Sequence, residues 1–135
     1  VKPQLRHEIR DLALVGGGAI PGALLRWRLE SLEGLVPHSL QSALGSHGLA
    51  NMIGCLVIGL VLAGSAARPR LMLAVGIGFC GSLTTFCSWM LELARALESG
   101  QVSAFSGVLV VSLVGGLGLV SLGYALGQGV ARRRG

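Results

Sequence analysis

Charged residues cut this chain into four uncharged runs. Leu12 to Leu25 is the first and the shortest. Gly34 to Ala67 is the second, with its apolar half starting at Leu49. Leu71 to Leu91 is the third, and Ser99 to Ala131 is the fourth. A helix that crosses a bilayer needs roughly 20 mostly apolar residues. The pattern therefore predicts four membrane spans, at about 12–28, 48–67, 71–95 and 101–127, in one transmembrane domain over residues 1–135. A water-soluble fold would have to hide all four apolar faces in one small core. The expected class is all-α, membrane-embedded.

The third run is unusual at its centre. Gly76, Gly78, Gly81, Ser82, Thr84 and Thr85 fall together there. Glycine weakens a helix, and Ser and Thr offer the backbone competing hydrogen bonds. A carbonyl freed in hydrocarbon persists only if protein, water or an ion satisfies it. Two readings follow. The helix breaks at mid-membrane and its exposed carbonyls coordinate an ion. Alternatively, the small residues admit a close helix contact while Ser and Thr bond back to the i−4 carbonyls. The residues alone do not choose.

Composition sharpens the class. Glycine is abundant, 22 of 135 residues, which suits closely packed membrane helices. Cys55, Cys80 and Cys87 all lie inside predicted spans, so they read as small packing residues rather than a disulfide framework. The net charge of +5 sits at span ends and is no nucleic-acid signature. With four spans, Lys2, Arg6, Arg10, Arg68, Arg70, Arg132, Arg133 and Arg134 share one side, against Arg26, Arg28 and Arg95 on the other. That bias places both termini in the cytoplasm. Arg26 stands where a signal peptide would carry its small-residue cleavage site, so the first run does not read as a cleaved leader.

Several polar positions are candidates for function. Asn51 is a costly amide in the second span, and such residues mark interfaces or pathways. Gly18 and Gly22 form a small-xxx-small pair, and Pro21 between them can kink the first span. Ser112 and Gly116 share one helix face, and Gly123 and Gly127 repeat the spacing. Arg26 and Trp27 fit an interfacial anchor, with Arg26 as an anion's entrance the second reading. His7, His38 and His47 are isolated from other ligand types and read as solvated.

Three segments carry a resemblance. Gly78-Phe-Cys-Gly-Ser-Leu-Thr-Thr-Phe-Cys-Ser-Trp-Met-Leu-Glu92 resembles the third-helix signature of the Fluc (CrcB) fluoride channels. Gly17-Gly-Ala-Ile-Pro-Gly-Ala-Leu-Leu-Arg26 is similar to that family's first helix, and Asn51-Met-Ile-Gly-Cys-Leu-Val-Ile-Gly59 to its second. The resemblance covers nearly the whole chain. It implies a four-helix subunit, pairing with an antiparallel copy so that one sequence is inserted in both orientations. It implies passive export of cytoplasmic fluoride through two pores along the dimer interface, in a bacterial or archaeal-type plasma (inner) membrane. It also implies a central structural Na+, held by the main-chain carbonyls of Gly81 and Thr84 from both subunits. The fluoride pathway maps onto Asn51, Thr85, Phe86, Trp89 and Ser112. There are departures. Trp89 stands where the family has a second phenylalanine, and Gly116 where a hydroxyl is usual. Ser46-His47 replaces the common Gly-Thr, and Ser82 replaces a usual glycine.

Fluoride is small and strongly hydrated, so a narrow, dry path must replace its water. Aromatic rings present positive edges, and the Asn51 amide and the Thr85 and Ser112 hydroxyls can donate hydrogen bonds. Without the family motif, Phe86 and Trp89 would read as lipid or core packing. A dual-topology homodimer favours little charge asymmetry, so the eight-to-three bias leaves an oppositely oriented paralogue as the other candidate partner. Rival functions are weaker. A proton-coupled multidrug exporter needs an intramembrane carboxylate, and no Asp or Glu lies deep in any span. A non-conducting scaffold explains the glycine contacts but not Asn51 or the Gly-Ser-Leu-Thr-Thr-Phe break. No Ser-His or His-carboxylate constellation supports an enzyme.

Overall fold

The structure is a computed structural model, and it describes residues 3–32, 48–64, 68–84 and 86–132. Within them the chain is helix and turn, with no strand. Helix α1 spans Pro3–Leu32 and α2 spans Gly48–Leu62. Helix α3, residues 69–83, has three parts: Pro69–Leu71, a π-helical stretch Met72–Cys80, and a closing turn Gly81–Leu83. Helix α4 is Phe86–Glu98 and α5 is Val102–Arg132.

Two stretches are long and apolar enough to cross a membrane, Pro69–Glu98 and Val102–Val130. Helix α2 is apolar apart from Asn51 but has 15 residues. Helix α1 has 30 residues, yet its apolar middle lies between charged ends. Residues 1–11 mix both charge signs, which suits an interfacial helix or tail set apart from the first span; instead α1 runs through Arg6 to Asp11 without a break. Pro21 sits inside the same uninterrupted helix. The stretch Leu35 to Leu44, whose sequence suits a short amphipathic piece, lies outside the described residues, as do His38 and His47.

The helices pack as two close pairs, α1 on α3 and α2 on α5. Glycines make both approaches possible. A Cβ on Gly18 would strike the Ala74 carbonyl, and one on Gly78 would strike the Val15 carbonyl. On the other pair, Gly59 lies against the Val120 carbonyl and Gly123 against the Leu56 carbonyl. These are backbone contacts, the kind that only a missing side chain permits.

Two further features follow from local chemistry. Pro69 opens α3 near its first position, where its missing N–H removes no helical bond. Helix α4 ends at Gly100 with φ +70°. The Gln101 N–H reaches the Ala96 carbonyl and the Gly100 N–H the Leu97 carbonyl, both at 3.0 Å. That is a Schellman ending, and the left-handed glycine lets α5 begin two residues later.

The buried core is small. Leu83 is fully buried against Leu29 and Ala50, with Ile53 and Phe79 packed beside them. Most other large apolar side chains face outward, including Leu12, Leu113, Val114 and Leu117, each more than half exposed. So large an apolar surface marks a lipid or protein interface.

Candidate functional site

The long helical run is interrupted where the sequence clusters its hydroxyls. Thr84 leaves helical geometry with φ −82° and ψ 149°. Its N–H and its Oγ1 both bond the Cys80 carbonyl, each at 2.9 Å. The Ser82 hydroxyl bonds back to the Gly78 and Phe79 carbonyls at 2.9 and 3.0 Å. The last carbonyls of a helix have no helical donor of their own. Here Cys80 is supplied by Thr84, and the carbonyls of Gly81, Ser82 and Leu83 come next. Leu83, wholly buried, anchors the turn, while Gly81 is exposed. Gly54 of α2 leaves room for the Thr84 methyl, which a Cβ there would strike.

An open cleft of about 320 Å³ lies beside this break. Helix α2 contributes Asn51 and Cys55, one helical turn apart. Helix α4 contributes Phe86 and Trp89, three residues apart, and α5 contributes Ser112 and Gly116. Thr84 closes the end. These spacings put each pair on one helix face, which is why three helices can present them to a common space. The rings of Phe86 and Trp89 are 5.8 Å apart at their centroids and tilted by 49°. Phe86 is 70% exposed, so the cleft opens along its side. The Trp89 indole Nε1 donates to Ser112 Oγ at 3.1 Å, joining α4 to α5 across the cleft.

Among the described residues no charged one lines this space. Its walls are apolar and aromatic, with an amide, two hydroxyls and an indole as the polar groups. Such a surface can offer several weak hydrogen bonds to an anion without trapping it on a fixed charge. Gly116 faces Cys55, and a Cβ there would sit 3.4 Å from the sulfur. The missing hydroxyl thus leaves that end wider.

The other predicted residues fall elsewhere. Arg26 lies on α1 and pairs with Glu30 at 2.9 Å. It does not line the cleft. Thr85 lies outside the described residues. Among the described residues no three His, Cys, Asp or Glu side chains converge. A second groove, between α1 and α3, is lined by Ala13, Gly17, Pro21, Val75 and Phe79 among others, and it has no polar side chain. Sequence reasoning did not include Met52 and Cys55 in the site. Their spacing from Asn51 on an apolar helix was the one available signal.

Residues 13–124 match the family model for CrcB-like protein, Camphor Resistance (CrcB). The chain belongs to the CrcB family. Curated relatives agree in extent. One, the fluoride-specific ion channel FluC 2 of Synechococcus sp. (strain CC9605), is 43% identical over 127 residues, covering 94% of this chain and 88% of the relative. The FluC 2 protein of Parasynechococcus marenigrum (strain WH8102) is 45% identical over 124 residues, covering 92% and 86%. The FluC 1 protein of that same organism is 39% identical over 121 residues, covering 87% and 93%. The CrcB match begins at residue 13 and ends at residue 124. It therefore takes in the break, the cleft and the close helix pairs.

Proposed function

We propose that this chain is a subunit of a fluoride-selective channel, not an enzyme, and that it lets cytoplasmic fluoride leave the cell by passive electrodiffusion. The carrying observation is the cleft: Asn51, Phe86, Trp89 and Ser112, from three helices, face one uncharged space beside the Thr84 break. The names of the FluC relatives support the choice of ion. The working assembly is a pair of four-span subunits set antiparallel in a plasma membrane, with two pores at their interface. The exposure of Phe86 supports a partner surface on that side.

In this reading the Asn51 amide and the Ser112 hydroxyl donate hydrogen bonds that replace water around the ion. The rings of Phe86 and Trp89 turn positive edges to it and keep the path narrow. Thr85 adds a hydroxyl along the same track. A structural Na+ is part of the same reading: carbonyl oxygens are the ligands a hard cation prefers, and those of Gly81, at the end of α3, and Thr84, in the extended segment beside it, would hold the ion. One subunit supplies too few, so the group belongs between two copies. When bound, the ion supplies positive charge that holds the two breaks together. A proton-coupled exporter needs a carboxylate in its pathway, and none of the described lining residues carries one.

The test is fluoride release from liposomes containing the purified chain, read by a fluoride electrode, with chloride release as control. Fast, fluoride-only release supports a channel built from this chain alone. Release only after co-reconstitution with a FluC 1-type relative supports an oppositely oriented pair. No release in either case refutes the channel reading.

A further inference from the structure

We propose that Trp89 is a positioning residue, whose indole N–H fixes the Ser112 hydroxyl as a hydrogen-bond donor to the anion in the cleft. The proposal rests on the channel reading above. It starts from an imbalance among hydroxyls on one helix. Ser106 and Ser121 of α5 each donate back to their own helix, to the carbonyls of Val102 and Leu117. That is the usual fate of a serine in an apolar helix. Ser112 departs from it. Among the described residues, its hydrogen-bond partner is the Trp89 indole at 3.1 Å.

The direction of that bond is fixed. An indole nitrogen can only donate. The Ser112 oxygen therefore accepts, and its own proton has no partner among the described residues. Ser112 lines the cleft, so a cleft occupant that accepts a hydrogen bond is within the serine's rotation. A hydroxyl that is already accepting is polarised and donates more strongly. Trp89 is itself steadied by the Phe86 ring. Phenylalanine, which the family pattern puts at this position, offers no N–H, and Ser112 would then be free to turn back to its own helix.

The indole reports on this directly. The chain has two tryptophans, Trp27 and Trp89, and Trp27 lies on α1, away from the cleft. Nitrogen-15-labelled full-length protein in lipid nanodiscs gives two indole N–H signals, assigned by W89F. When NaF is added, the Trp89 signal should move and the Trp27 signal should not. NaCl should move neither. S112A should remove the fluoride response while leaving the Trp27 signal in place, which shows the fold is intact. In liposomes, S112A should slow fluoride release roughly tenfold to a hundredfold, the scale for losing one hydrogen bond to a charged group. W89F should slow release several-fold alone and add nothing to S112A. A Trp89 signal that still follows fluoride in S112A would overturn the proposal, because the indole would then touch the ion itself. A signal that ignores fluoride while liposomes release it would also overturn it. Silent liposomes would instead remove the channel reading on which it rests.

Discussion

The crossing of α2 and α5 gives the sharpest structural prediction. Gly59 and Gly123 meet there backbone to backbone. A Cβ on Gly59 would run into the Val120 carbonyl and stand 3.0 Å from the Tyr124 nitrogen. A Cβ on Gly123 would run into the Leu56 carbonyl and stand 3.0 Å from the Leu60 nitrogen. Non-bonded carbon is comfortable at about 3.5 Å, and helix backbone cannot rotate away as a side chain can. G59A therefore forces the two axes apart by on the order of 1 Å, and overpacking of this kind costs about 1–3 kcal/mol. Asn51 and Ser112 lie eight residues back from Gly59 and Val120 respectively, about 12 Å along each helix. The displacement thus reaches the cleft. SDS-titrated unfolding, followed by fluorescence, should show G59A and G123A each destabilised. Once the helices have parted for one methyl, the second has room, so the double variant should lose little more than either single one. Fluoride release should fall in all three. Gly129 has open space around it on the same helix, so G129A should cost nothing. Wild-type stability in G59A and G123A, or an equal loss in G129A, would refute the close crossing.

Three further outcomes are expected. T84V keeps the shape of Thr84 but removes its bond to the Cys80 carbonyl; it should cost about 0.5–1.5 kcal/mol in the same titration, while T84S should restore most of it. R26Q removes a partly exposed i,i+4 pair with Glu30, so it should change stability by no more than about 0.5 kcal/mol and leave fluoride release unchanged; a large fall in release would return Arg26 to the entrance of the path. Prolonged replacement of Na+ by the larger K+ should slow fluoride release if Gly81 and Thr84 carbonyls hold a sodium-sized ion, and equal release in both salts would remove that site.

Much of this arrangement was legible because small residues and hydroxyls are rare enough in a span to be informative. Gly18 and Gly22 announced a close neighbour, and α3 is that neighbour, with Gly22 lying against Ser82 and Phe79. The cluster from Gly76 to Thr85 left a helix break and a close helix contact both open, and a break falls at Thr84. Gly100 closes α4 with a positive φ, in the Leu-Glu-Ser-Gly turn between the third and fourth runs. Other features had no local signal. The charged head of α1 looked like a separate segment, because hydropathy changes at Leu12; helix geometry tolerates that change, and α1 continues through it. The π-helical stretch Met72–Cys80 has no sequence pattern of its own, since Met72 to Cys80 would suit an α-helix equally well. The Trp89–Ser112 bond joins residues 23 apart in sequence. Only the packing of α4 on α5 brings them together.

The two readings of the glycine and hydroxyl cluster turn out to concern different atoms. Ser82 and Thr84 do bond back to their own helix, as the packing reading requires, and they satisfy the carbonyls of Gly78, Phe79 and Cys80. Gly78 does admit α1 against the backbone. These contacts stabilise the N-terminal side of the break. They stop there. Thr84 is already extended and its hydroxyl is engaged, so neither its N–H nor its hydroxyl is left for the carbonyls that follow Cys80. Gly81 carries no side chain to shield its carbonyl, and no described residue crowds the position where a Cβ would stand. In a bilayer a carbonyl without a helical donor persists only where a partner meets it. If the proposed Na+ binds, the side chains that steady the break therefore restrict its oxygen donors to the short turn from Gly81 to Thr84 rather than to the whole helix.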